Sequence, residues 1–149
     1  MLLVAAALLH LGFQLTVSAL VYPALAAVAS GEDSAAEMSA GEVSAGEWSA
    51  AHTAHSRRIV PLVGLTYALL FAALVRALVV GPFTGWLVVA GAGALLTVLT
   101  TAFAAAPTHG RLGAGRDQEL LERLRRVDLV RLAGAVACAL GSVGWALAA

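Results

Sequence analysis

Residues 59–106 read IVPLVGLTYALLFAALVRALVVGPFTGWLVVAGAGALLTVLTTAFAAA, and Arg76 is the one charged residue in the run. The triplet Gly81-Pro82-Phe83 divides it into two apolar stretches, 59–80 and 84–106. At about 1.5 Å rise per residue, some 20 helical residues cross a hydrocarbon core roughly 30 Å thick, and each stretch reaches that length. The link between them is so tight that the two helices must run antiparallel.

Two further apolar stretches, 2–29 and 127–149, flank this pair. Hydrophobic residues make up 60% of the 149 and charged ones 12%, with a mean hydropathy of +0.89; a water-soluble domain does not have this composition. The expected fold is all-α: one polytopic membrane domain over 1–149, a four-helix transmembrane bundle with a short cytoplasmic amphipathic helix. Ala24-Leu25-Ala26 looks like a signal-peptide cleavage site. No positive residue precedes it, however, and the apolar run is too long for a signal peptide, so span one is expected to be retained.

The charges sum to zero, but their layout is informative. Arg57 and Arg58 precede the second span, and Arg111, Arg116, Arg123, Arg125, Arg126 and Arg131 lie between the third span and the start of the fourth. Short arginine-bearing connections stay cytoplasmic, so both termini are expected outside a plasma membrane. Arg76 alone falls toward the other face, where it can snorkel. No aromatic residues interleave with the basic strip, so anionic lipid suits it better than nucleic acid, which is not an expected partner. Cys138 has no second cysteine to pair with and is read as a packing residue.

From Ser34 the chain repeats SAAEM, SAGEV, SAGEW and SAAHT. A period of five draws no continuous stripe on a helix, so 31–47 reads as a tolerant low-complexity loop. Beyond it, Trp48, His52 and His55 fall at i, i+4 and i+7, one helical face. His109 opens the second arginine-bearing connection, where 107–111 is expected as loop. Segment 117–127 is expected to lie along the membrane surface, with Leu120, Leu121, Leu124 and Val127 as its apolar face and Glu119–Arg123 and Glu122–Arg126 as i,i+4 pairs. Small residues in spans three and four, among them Gly93, Gly134, Gly141 and Gly144, permit close helix contact in lipid.

Polar groups inside a bilayer need partners. His10 and Gln14 are i,i+4 on span one and are read either as interhelical hydrogen-bonding groups or as ligand contacts. Asp128 and Arg131, at i and i+3, read as an ion pair with each other or with Arg57 and Arg58. His52, His55 and His109 can converge on one cytoplasmic mouth as general bases or as metal ligands, with interfacial capping as the plain alternative. The catalytic candidates are therefore His52, His55 and His109, and the substrate-binding candidates are Gln14, Tyr22, Trp48, Arg57 and Arg58. Membrane lipid and a small hydrophobic or aromatic ligand are the expected partners; metal, cofactor and oligomeric state are left unassigned.

The order of these features resembles the anthrone oxygenase-like family of small four-span membrane proteins, much of it a domain of unknown function. The residues that carry the likeness are Gln14 and Tyr22-Pro23-Ala24-Leu25, then Trp48 with His52, His55 and Arg57, then Thr101, Pro107 and Leu112, and finally Asp128 and Arg131. The pentapeptide insertion and His109 depart from the family pattern. The resemblance implies a membrane oxidoreductase similar to cofactor-independent monooxygenases of polycyclic anthrones, with a pocket facing the cytoplasm. The other class left open is a non-enzymatic carrier, accessory subunit or lipid-binding bundle. Alanine, glycine and arginine usage without lysine suits a high-GC bacterium.

Overall fold

A computed structural model of the chain describes residues 1–23, 45–113, 115 and 117–148, with the backbone alone at 45–52 and 55. The pentapeptide loop lies outside the described residues. Among them the secondary structure is entirely helical: α1 (Leu2–Thr16), α2 (Ala45–Val80), α3 (Gly85–Thr100), α4 (Ala106–Leu112) and α5 (Gln118–Ala148). Two π-helical segments, Val17–Val21 and Thr101–Ala105, extend α1 and join α3 to α4. Four rods are thus long and apolar enough to cross a membrane: Leu2–Val21, Ser56–Val80, Gly85–Leu112 and Gln118–Ala148. The chain is a multi-pass helical membrane protein.

α3 and α5 form the most intimate pair, and α1 packs against both α5 and α2. Glycine makes the α3–α5 approach so close. A Cβ on Gly93 would strike the Gly134 carbonyl and the Cys138 backbone nitrogen, and one on Gly141 would strike Ala90 and the Trp86 carbonyl. Lipid tails are as apolar as leucine, so helices gain little by hiding leucine from them; what holds this pair is backbone-to-backbone van der Waals contact. Cys138 is buried in this contact as a packing residue. Thr84 caps α3 by accepting from the Leu87 N–H at 3.3 Å, and Asp117 caps α5 by accepting from Leu120 at 3.1 Å.

Two expectations change. Segment 117–127 is helical, but it does not lie apart on the surface: α5 runs unbroken from Gln118 to Ala148. Leu120, Leu121 and Leu124 are buried against Val17, Tyr22, Ala105 and Leu112, so an end-on extension of span four covers their apolar face better than an interface would. Of its two charge pairs, Glu122–Arg126 is seen at 3.9 Å and is exposed, which makes its contribution small. Residues 107–111 are helix, not loop: α4 continues the rod of span three directly from the π segment, with Pro107 in its first turn. α2 and α3 remain neighbours, joined at the tight link and again by the Tyr67–Thr101 hydrogen bond, and a cleft lined by both helices lies between them.

Candidate functional site

Both π segments end two residues before a proline. Val17–Val21 precedes Tyr22-Pro23, and Thr101–Ala105 precedes Ala106-Pro107. A proline ring crowds the carbonyl four residues back, here Ala19 and Phe103, both inside the segments. Widening the turn makes room: the Tyr22 N–H reaches the Val17 carbonyl and the Ala106 N–H reaches the Thr101 carbonyl. Such wide turns re-aim the side chains that follow them and are frequent at functional sites. Pro61, inside α2, produces no such segment, and nothing in the structure explains the difference.

The wide turn in span one delivers Tyr22 into a buried polar network. Asp128 lies at its centre on α5, 2% exposed, beside Arg131 at 4%. The Arg131 Nη1 donates toward Asp128 Oδ1 at 3.4 Å and toward the Tyr22 hydroxyl at 3.4 Å. From α1, the Gln14 Nε2 donates to Asp128 Oδ1 at 2.6 Å, and the Ser18 hydroxyl donates to Asp128 Oδ2. Thr97 on α3 donates to the Arg131 carbonyl at 3.3 Å. An ion pair sealed in this way is costly to desolvate, and removing one partner strands the other. Some polar atoms stay unpaired among the described residues: both ring nitrogens of His10, the Gln14 Oε1 and the Arg131 Nε. The His10 ring lies tilted 5.4 Å from that of Tyr67.

Beside this network a pocket of about 530 Å³ opens between α1, α2, α4 and α5. Its walls are apolar, from Phe13, Val17, Ile59, Val60 and Val63; its polar groups include Tyr22, Arg57, His109, Arg131 and Thr101, with Thr53 and Ser56 beside Arg57. The His109 ring stacks on Tyr22 at 6.3 Å between centroids and 23° between planes. An apolar cavity of this size with a few convergent polar groups is the usual form of a small-molecule site.

The sequence candidates divide accordingly. Tyr22, Arg57 and His109 share the pocket, which brings the two arginine-bearing connections to one end of the bundle. Gln14 is fully buried behind it and holds Asp128. Arg58 is exposed and not part of the lining. Trp48, His52 and His55 belong to α2, which carries them straight into span two, but their side chains lie outside the described residues. No group of three His, Cys, Asp or Glu close enough to hold a metal occurs among the described residues. Sequence reading left Arg131 as a brace and missed its place in the pocket; two buried ionisable residues one turn apart at the same depth were the available signal.

These observations define a class: a four-span helical membrane protein with an amphipathic pocket at one end, floored by a buried ion pair. Beyond the class, no protein-family model, curated protein or solved structure matches the chain.

Proposed function

We propose that this protein binds a small, largely apolar molecule carrying an oxygen function, with the oxygen directed at Arg131, Tyr22 and His109. The carrying observation is the pocket itself: apolar walls, and a floor whose cation is buried yet accessible from the cavity. In lipid a ligand gains little from apolar burial alone, so recognition must come from the few polar groups. With the arginine-rich end placed by the charge rule, the pocket faces the cytoplasm and both termini lie outside, in the plasma membrane of a bacterium.

The resemblance to anthrone oxygenase-like proteins makes a polycyclic phenol or anthrone the first ligand to test. In that form of the reading His109 takes the proton from the activated carbon, and Tyr22 and Arg131 hold the resulting oxyanion. Dioxygen is the oxidant; one of its oxygen atoms enters the product as a carbonyl and the other leaves as water. A non-enzymatic carrier or lipid-binding bundle is the second reading, and one observation favours it: the charge of Arg131 is already met by Asp128 within the chain.

The test is native mass spectrometry of the purified protein with anthrone and hydroxyanthraquinones, together with an aerobic assay for quinone formation. Adducts in wild type that disappear in Tyr22→Phe and His109→Ala support the binding site. Quinone formation that depends on His109 supports the enzyme. Absence of any adduct, or adducts indifferent to both substitutions, rejects the pocket.

A further inference from the structure

The pocket has a neighbour. Between α2 and α3 lies a second cavity of about 550 Å³, lined by Leu70, Leu74 and Leu78 from one helix and Leu87, Gly91 and Leu95 from the other. Its lining is apolar apart from Tyr67. From Tyr67 to Leu78 it follows α2 for roughly 16 Å at about 1.5 Å per residue, so it is a slot and not a bowl. The Tyr67 hydroxyl is 2.7 Å from the Thr101 Oγ1. Tyr67 lines the slot and Thr101 lines the pocket, so this hydrogen bond crosses from one cavity's wall to the other's. On the pocket side stand two cations, Arg57 and the buried Arg131, whose Nε has no partner among the described residues. The slot's lining carries no charge.

We propose that slot and pocket together take one single-tailed amphiphile, with its hydrocarbon tail between α2 and α3 and its oxygen-bearing head at Arg131, Tyr22 and His109. This rests on the pocket reading above and narrows its ligand from a compact ring to an alkyl- or prenyl-substituted phenol or acid. Charge complementarity sets the direction: cations at one end attract an acidic or phenolic oxygen, and the other end offers only hydrocarbon. Since a tail in the slot is no better solvated than a tail in the bilayer, the head must supply selectivity and the slot must supply only shape. A ligand of this kind dissolves in the membrane first and reaches the site along it.

Gly91 provides the clean perturbation. A Cβ added to it meets no atom within 4 Å and Gly91 lines the slot, so Gly91→Phe is expected to fill the slot and leave the α3–α5 contact in place. The experiment uses the full chain in phosphatidylcholine nanodiscs and 4-dodecylphenol bearing a terminal diazirine, with unmodified anthrone as the compact probe. On irradiation, label is expected on peptides containing Leu74–Leu78 or Leu87–Leu95. It should fall at least fivefold with excess dodecylphenol, in Gly91→Phe and in Tyr22→Phe, while Gly91→Phe keeps anthrone adducts. Label that ignores the competitor and both substitutions would mean that ordinary bilayer lipid fills the slot, and overturns the proposal. So would an oligomer that dissociates in Gly91→Phe with no label in wild type, which assigns the slot to a second copy. Anthrone binding without slot labelling defeats this inference alone. Loss of binding by both probes defeats the pocket reading as well.

Discussion

The two ends of the bundle solve one problem by opposite means. Toward the N-terminus of α1 and the C-terminus of α5, the helices meet through absent side chains: Gly141 lies on the Ala90 backbone and Gly144 on the Trp86 ring. Toward the other end they meet through side chains that would be forbidden alone, with Gln14, Ser18 and Tyr22 gathered on Asp128 and Arg131. Dispersion needs only proximity, so the glycine end can be continuous and dry. Buried charge needs several donors with defined positions, so the polar end is discrete and leaves some atoms unpaired. The pocket with converging polar groups forms beside the second kind of contact, whereas the cavity that runs along the glycine end is the apolar slot between α2 and α3.

The comparison breaks most sharply at the ion pair. Asp128→Leu or Arg131→Met alone should each destabilise the bundle by about 3–5 kcal/mol, because each leaves a buried charge uncompensated, whereas the double substitution should recover most of that loss. Unfolding in mixed micelles measures all three; additive losses would show that the two residues do not act as a pair. Next, Ser18→Ala removes a donor to the carboxylate and should cost about 1.5–3 kcal/mol in the same assay.

At the glycine end, Gly141→Val should cost about 1–3 kcal/mol through overpacking against Ala90 and Trp86. Gly91→Val, which faces open space, should change stability by no more than about 0.5 kcal/mol. Equal effects at the two glycines would remove the distinction between backbone contact and open slot. Also at this end, Trp145→Phe forfeits the indole hydrogen bond to the Pro82 carbonyl at 2.9 Å. About 0.5–1.5 kcal/mol should be lost there, with ligand binding at the far end unchanged.

The four spans were legible because hydropathy and length alone decide whether a helix can live in a bilayer. The Asp128–Arg131 pair was legible because its spacing is local. Gln14 could be recognised as needing a partner, but not that the partner is Asp128, since nothing in a linear pattern joins residues 114 apart. Segment 117–127 misled for a related reason: amphipathicity says that one face is covered, and here the cover is Tyr22 and Leu112 instead of lipid headgroups. The prolines at 23 and 107 advertised a local break in helical geometry. That both would widen a turn beside the same cavity could be seen only in three dimensions.

Every hydrogen bond to the carboxylate of Asp128 from outside its own helix comes, among the described residues, from the first span, and Asp128 itself lies on the last. A membrane protein is made from its N-terminus, so Gln14 and Ser18 reach the bilayer long before the acid they serve. Until span four arrives, the Gln14 amide lacks its carboxylate partner, and the Ser18 hydroxyl has only the Gln14 carbonyl of its own helix, at 3.0 Å. The ion pair therefore acts as a clasp between the oldest and youngest parts of the chain. A ribosome product stopped short of residue 128 exposes that vacancy to whatever surveys the membrane for unfinished proteins.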